Sequence, residues 1–209
     1  IILSIQLSYA QSDHVKPINH LNEKFDMTLP KDSIHGIAVV AHGLNTKPGI
    51  MNTITDELSM MGIESYLVKF SGHYPNSTPI EDMAFDQWHQ DFLSSYLMAS
   101  DKAKTNNVPL YFLGYSLGAL VGDYMITKSN GKFTFDRQIL LAPATATRSS
   151  SGMIKAAFIF PDSWKIPSFT PDEYRANKGL PIKAYKILFH YQDYIYEHGF
   201  DFLNIPTII

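Results

Sequence analysis

The sequence feature that most constrains this chain is a Gly-x-Ser-x-Gly motif that stands between a strand pattern and a helix pattern. Residues 110–113 read Leu-Tyr-Phe-Leu and run directly into Gly-Tyr-Ser-Leu-Gly at 114–118. After the motif, apolar residues recur at helical spacing as far as Met125. A sharp turn between a buried strand and a helix holds the serine backbone in a strained conformation and exposes the Ser116 hydroxyl above the sheet edge.

A serine in such a turn has the exposure that a nucleophile needs. The neighbouring glycines, Gly114 and Gly118, allow the strand and the helix to pack closely. The start of the helix directs backbone N–H groups toward an oxyanion formed at Ser116. The bare motif occurs by chance in about one chain in fifteen of this length, so the prediction depends on its strand–helix setting. The alternative is a glycine-rich turn whose serine has no catalytic role.

Length and composition predict one well-buried globular domain. The chain has 209 residues, of which 45% are hydrophobic and 18% are charged. A net charge of −3 gives no electrostatic argument for nucleic acid or an anionic membrane as a partner. The absence of cysteine is compatible both with export and with the cytosol.

The first ten residues resemble the end of a targeting segment. Residues 1–10 are mostly apolar and finish with the small-x-small pattern Ser8-Tyr9-Ala10. This pattern predicts the remnant of a secretory signal peptide, cleaved after Ala10, and hence a secreted or periplasmic protein. The alternative is a short apolar strand, because the charged region that opens a signal peptide is missing. No other stretch approaches the roughly 18 apolar residues that a membrane span needs.

The remaining chain, residues 11–209, alternates strand and helix patterns. Thr78, with Glu81 three residues later, predicts a capping box at the start of the second helix. The alternation favours right-handed crossovers and an α/β fold with a doubly wound, mostly parallel sheet. Ligands of such sheets bind at the carboxyl ends of the strands. The strands are predicted at residues 36–41, 65–70, 110–113 and 137–142.

Residues 148–181 break this alternation. They combine apolar residues with prolines and serines, and they follow the strand that ends near residue 142. An apolar insertion at the carboxyl edge of the sheet predicts a cap that excludes water and forms an apolar acyl pocket. The alternative is a pair of packing helices without substrate contact. A helix over 182–199 and the start of a strand at 204–209 are predicted to follow.

Together these motifs resemble the α/β-hydrolase superfamily, and within it the serine aminopeptidase-like branch of monoacylglycerol lipases and carboxylesterases. They cover residues 36–209 in the order expected of that family. The matching pieces are Ala41-His42-Gly43-Leu44, Gly72-His73, Trp88-x-x-Asp91, Gly114-Tyr115-Ser116-Leu117-Gly118, Leu141-Ala142-Pro143 and Ile205-Pro206-Thr207.

The resemblance implies a serine ester hydrolase that cleaves carboxylic esters with an apolar acyl group through an acyl-enzyme on Ser116. The backbone N–H groups of Leu44 and Leu117 would form the oxyanion hole. His42 and His73 are expected to shape turns beside the site. The resemblance implies no metal and no cofactor. The expected partner is a small-molecule or lipid-like ester, with no nucleic acid and no integral membrane segment.

The chain departs from the family pattern in its catalytic triad. In this fold the order is Ser, then Asp or Glu, then His, and the strand that should precede the acid only begins at residues 205–209. We therefore expect a C-terminally truncated chain that lacks the last strands and helices and is nearly inactive alone. The alternative places a strand at 185–190, with Asp193 as acid and His198 as base, although these two residues are too close for the elements that normally separate them.

Other functions remain open at this stage, because one fold and one triad serve several chemistries. A thioesterase, an amidase or an acyltransferase would use the same machinery, and turnover of ester, thioester and peptide substrates separates them. A non-catalytic binding protein would keep the pocket without the triad.

Overall fold

The computed structural model describes residues 25–30, 33–145, 155–168, 170–198 and 201–209. The predicted signal-peptide remnant at residues 1–10 lies outside the described residues, and so does the first part of the predicted cap. The secreted or periplasmic location therefore stays a prediction.

The described residues form a mostly parallel sheet of six strands and a separate two-stranded hairpin. The strands are β1 (Phe25–Thr28), β2 (Gly36–Ala41), β3 (Ile63–Val68), β4 (Leu110–Tyr115), β5 (Arg137–Leu141), β6 (Lys165–Pro167), β7 (Gly179–Pro181) and β8 (Thr207–Ile208). The α-helices are α1 (Asn52–Met60), α2 (Gln87–Asn106), α3 (Leu117–Lys128) and α4 (Ile182–His198). The sheet order is β1-β3-β2-β4-β5-β8, in which only the β1–β3 pair is antiparallel.

Helices cover both faces of this sheet, which confirms the doubly wound α/β fold. In β2, Ile37 and Val39 face a large core shared with α2, α3 and α4, whereas Ala38 and Val40 face a smaller core shared with α1. All six residues of β2 are therefore buried. Burial on both faces explains why the strand has a continuous apolar sequence instead of an alternating one.

The helix after β3 begins later than the capping box predicts. Helix α2 starts at Gln87, whereas Ile80–Asp82 form only a short 3₁₀ turn. The Glu81 carboxylate, which the capping box assigns to the helix start, binds Lys165 Nζ at 2.6 Å. The prediction of a helix start at Thr78 is therefore wrong, because a partner 84 positions away in the sequence takes the side chain that would cap the helix.

The later part of the chain contains the helix and the strand that the sequence predicts. Helix α4 occupies Ile182–His198, and β8 pairs in parallel with β5. Between β5 and α4, the described residues of the predicted cap form a short 3₁₀ helix and the antiparallel β6–β7 hairpin. No described helix is long and apolar enough to cross a membrane.

Candidate active site

Ser116 stands in the tight turn between β4 and α3. Its backbone has φ 51° and ψ −109°, a conformation that costs a non-glycine residue about 1–3 kcal/mol. Two backbone hydrogen bonds hold the turn. The Ser116 N–H donates to the carbonyl of Leu141 at 2.9 Å, and the Ala144 N–H donates to the carbonyl of Ser116 at 3.2 Å. The strained turn that the motif predicts is therefore present, and Ser116 is partly exposed.

The two glycines of the motif permit close packing around this turn. A Cβ at Gly114 would lie 2.6 Å from Cα and 2.7 Å from N of Ala119 in α3. A Cβ at Gly118 would lie 2.5 Å from the carbonyl oxygen of Ala41 in β2. Both contacts are with backbone atoms, so no side chain fits at either position without moving α3.

The loop after β2 lies beside Ser116. A Cβ at Gly43 would lie 3.4 Å from Cβ of Ser116 and 2.8 Å from the ring of Tyr115, so a side chain here would require the Tyr115 ring to move. The next residue, Leu44, donates its N–H to no backbone carbonyl of the described residues. The N–H of Leu117 belongs to the first turn of α3, where N–H groups have no partner within the helix. Both predicted oxyanion donors thus belong to segments next to Ser116.

His42 holds the loop after β2 from inside the protein. Its Nε2 accepts the N–H of Phe70 at 3.3 Å, so its proton lies on Nδ1, which donates to the carbonyl of Gly43 at 2.9 Å. Burial, together with nearby His73, lowers the pKa of His42 to about 3. The ring is therefore neutral with both nitrogens occupied, which supports a structural role.

His73 joins this loop to the loop after β3. Its Nε2 accepts the N–H of Asn45 at 2.9 Å, and its Nδ1–H donates to the carbonyl of Ser71 at 3.1 Å. Burial lowers the pKa of His73 to about 4. The imidazole is neutral and connects the two loops through one donor and one acceptor.

Helix α2 holds the loop after β3, to which His73 belongs. The Asp91 carboxylate accepts the N–H of Ser71 at 2.7 Å, and the indole N–H of Trp88 donates to the Ser71 carbonyl at 3.0 Å. Both side chains are fully buried. Trp88 and Asp91 therefore hold the loop after β3, and with it the Ser71 carbonyl that accepts the Nδ1–H of His73.

Neutral buried histidines make the free energy of unfolding depend on pH. Below about pH 6.5 the unfolded chain binds protons that folded His42 and His73, with pKa values of about 3 and 4, do not bind. Burial, together with nearby Lys128, lowers the pKa of His89 to about 4, so His89 is a third such group. Burial raises the pKa of Asp123 to about 7, so near pH 5 the folded protein retains one proton that the unfolded chain releases. This proton offsets the contribution of one histidine to the pH dependence of the free energy of unfolding.

We expect the free energy of unfolding to fall by about 3 kcal/mol for each unit by which the pH is lowered near pH 5. Two of the three histidines are not offset by Asp123, and each contributes about 1.4 kcal/mol per unit. Urea unfolding between pH 7 and pH 4.5 measures this slope. The His89→Gln variant serves as a comparison, because it should reduce the slope by about 1.4 kcal/mol per unit. A free energy of unfolding that does not change over this range would contradict the assignment of neutral rings.

The alternative acid–base pair is not assembled in the structure. Residues 185–190, which that alternative treats as a strand, belong to α4. Asp193 and His198 are exposed on the same helix, and the His198 ring stacks on Tyr194 with centroids 3.8 Å apart. The alternative is therefore wrong. The expectation of an acid and a histidine that follow residue 209 stays a prediction.

Sequence reasoning assigned no role to two asparagines beside the site. Asn45 has a φ of 57° and is buried, and it hydrogen-bonds to Asn177. An asparagine directly after His-Gly-Leu is a weak signal for a left-handed turn residue, since Asn tolerates that conformation. Nothing in the sequence indicates its distant partner. Among the described residues, no group of three metal-ligating side chains is placed to hold a metal ion.

Comparison with known proteins adds the family. The sequence profile of the family described as serine aminopeptidase, S33, matches residues 32–196. No curated protein matches the chain.

Similar solved structures include a lipolytic enzyme from the metagenome-derived pair LipS and LipT, at 16% identity and a TM-score of 0.72, with 88% of this chain and 73% of that chain covered. A soluble variant of the Saccharomyces cerevisiae monoglyceride lipase is similar at 13% identity and a TM-score of 0.73, with 88% and 71% covered. The Paleococcus ferrophilus monoacylglycerol lipase is similar at 13% identity and a TM-score of 0.61, with 88% and 76% covered. These likenesses concern the fold.

Proposed function

Because this chain belongs to the serine aminopeptidase S33 family of the α/β-hydrolase superfamily, we propose that it is a serine ester hydrolase with Ser116 as its nucleophile. The observation that carries this proposal is the backbone of Ser116, held at φ 51° at the head of α3. Strain of this kind persists only where the surrounding structure imposes it, and it is concentrated at functional sites. The loop that carries Leu44 approaches the same residue.

The proposed reaction proceeds through an acyl-enzyme. Ser116 Oγ attacks the ester carbonyl carbon and transfers its proton to a general base, and the carbonyl oxygen becomes an oxyanion. The N–H groups of Leu44 and Leu117 stabilise this oxyanion, at about 3–4 kcal/mol for each donor. The C–O bond to the alcohol then breaks, and the alcohol leaves with the proton. Water hydrolyses the acyl-enzyme to the free acid and restores Ser116.

We further propose that the substrate carries an apolar acyl group and that residues 148–181 cap the site. In the described part of this segment, Ile159 and Trp164 are exposed. The same segment reaches the site, because Ala176 N–H donates to the carbonyl of Asn45 at 2.9 Å. The monoglyceride and monoacylglycerol lipases among the similar structures are named for substrates of this class.

Labelling with an alkyl fluorophosphonate tests the proposed nucleophile. We expect stoichiometric modification of the full-length protein, mapped by peptide mass spectrometry to Ser116, and no modification of the Ser116→Ala variant. Turnover of p-nitrophenyl esters, a thioester and a dipeptide amide tests the bond that is cleaved, with the esters expected to react fastest. Modification of a different serine, or none in folded protein, would refute the proposal.

A further inference from the structure

The loop that carries Leu44 is bonded to a distant segment of the chain, residues 172–177. The carboxamide of Asn45 and the backbone of Asn177 form two reciprocal hydrogen bonds, which we call the Asn45–Asn177 clasp. Asn45 Nδ2 donates to the carbonyl of Asn177, and the N–H of Asn177 donates to Asn45 Oδ1, each at 2.9 Å. The side chain of Asn45 thus pairs with this segment as a neighbouring strand would.

Further bonds extend the clasp along the same segment. The Lys47 N–H donates to the carbonyl of Tyr174 at 2.8 Å. Lys47 Nζ donates to the carbonyls of Asp172 and Glu173, each at 3.1 Å. The side-chain Nδ2 of Asn177 also donates to the carbonyl of Gly72 at 2.8 Å, and this bond connects the segment to the loop after β3.

Asn45 uses all of its polar groups in this arrangement. Its N–H donates to His73, its carbonyl accepts the N–H of Ala176, and its carboxamide forms the clasp. The residue is 3% exposed and has a φ of 57°. A residue bonded through four groups on two sides has little freedom to rotate, so the residues next to it are held as well.

The peptide group between Gly43 and Leu44 is oriented by the same turn. Its carbonyl accepts three donors, namely His42 Nδ1–H at 2.9 Å, Thr46 Oγ1–H at 2.8 Å and the Thr46 N–H at 3.3 Å. In a planar trans peptide the N–H points opposite to the carbonyl. The donors on Gly43 therefore set the direction of the Leu44 N–H, and Asn45 holds the turn in which they lie.

We infer that Asn45 is a positioning residue for the oxyanion hole, acting through the Asn45–Asn177 clasp to keep the Leu44 N–H directed at the reacting carbonyl. This inference rests on the proposed function. It also assigns a role to residues 172–177, whose seating against Asn45 fixes the donor. Pre-alignment of this kind lowers the barrier, because a donor displaced by about 1 Å can cost about 100-fold in rate.

The Asn45→Gly variant tests this inference. Glycine keeps the left-handed conformation available and removes the side chain whose carboxamide forms the clasp. We expect kcat per labelled Ser116 to fall about 10- to 100-fold with KM changed less than about twofold, because the donor acts on the transition state. The affinity for an alkyl boronic acid, which forms a tetrahedral adduct with a serine, should fall by the same factor as kcat. Asn107→Gly is the matched control, since Asn107 has a φ of 52° at the far end of β4.

A second variant keeps the test decisive if Asn45→Gly does not fold. Thr46→Val removes one donor to the Gly43 carbonyl, and it should lower kcat about 3- to 10-fold with the same unchanged KM. Wild-type kcat in folded Asn45→Gly, or in folded Thr46→Val if the first variant does not fold, would overturn the inference while leaving the labelling of Ser116 intact. Wild-type protein that does not react with fluorophosphonate would instead refute the proposed function.

Discussion

Replacing Ser116 by alanine lowers kcat for ester hydrolysis about 10⁴- to 10⁶-fold if Ser116 is the nucleophile, because only oxyanion binding and substrate positioning then remain. The variant should keep the wild-type KM within a few-fold, since its substrate contacts are unchanged. Steady-state kinetics on p-nitrophenyl esters measure both parameters. Ser94→Ala, a substitution of the same kind in α2, should retain wild-type activity. Loss of less than tenfold in Ser116→Ala would show that another group performs the attack.

Two substitutions at Ser116 test the backbone strain there without an assay of activity. Glycine adopts φ 51° and ψ −109° freely, whereas alanine does not. We expect Ser116→Gly to be about 1 kcal/mol more stable than Ser116→Ala, because relief of strain exceeds the entropy that glycine adds to the unfolded chain. At Ser94, which lies inside α2, we expect the alanine variant to be about 1 kcal/mol more stable than the glycine variant. Urea unfolding of the four variants measures this, and the same order at both positions would contradict a strained turn.

Substitution of Gly118 by alanine is expected to have the second large effect. The new Cβ would lie 2.5 Å from the carbonyl oxygen and 2.7 Å from the carbonyl carbon of Ala41. These are backbone atoms of β2, so α3 must move away, and we expect a loss of about 2–4 kcal/mol in the free energy of unfolding. The displacement also carries the Leu117 N–H away from Ser116, so kcat should fall about tenfold or more.

Gly49→Ala is the matched control for this substitution. Gly49 is exposed, and a Cβ there would meet only the Asn52 side chain at 3.7 Å. Its free energy of unfolding should stay within about 0.5 kcal/mol of wild type. Equal stability of the Gly118 and Gly49 variants would contradict the tight approach of α3 to β2.

The parts of the fold that depend on local pattern are those that the sequence predicts well. The bounds of β2 follow from its apolar run, because a strand covered on both faces has no polar positions to blur its ends. The turn at Ser116 follows from the glycines around it, since only residues without a side chain fit against Ala119 and Ala41. Such signals lie within a few residues of the feature that they specify.

The parts that sequence reasoning missed depend on partners far away in the chain. Glu81 binds Lys165 instead of capping a helix, and this competition is invisible in the local pattern around Thr78. The bond between Asn45 and Asn177 joins residues 132 positions apart. Neither residue type nor spacing indicates such pairs, so the turn at Ser116 was predictable while the support of the loop that carries Leu44 was not.

The most direct test of this account is a crystal structure of the full-length protein after inactivation by a dialkyl p-nitrophenyl phosphate. We expect phosphorus bonded to Ser116 Oγ, with the phosphoryl oxygen about 2.7–3.1 Å from the backbone nitrogens of both Leu44 and Leu117. A phosphoryl oxygen that meets neither nitrogen, or an adduct on another side chain, would contradict the central claim.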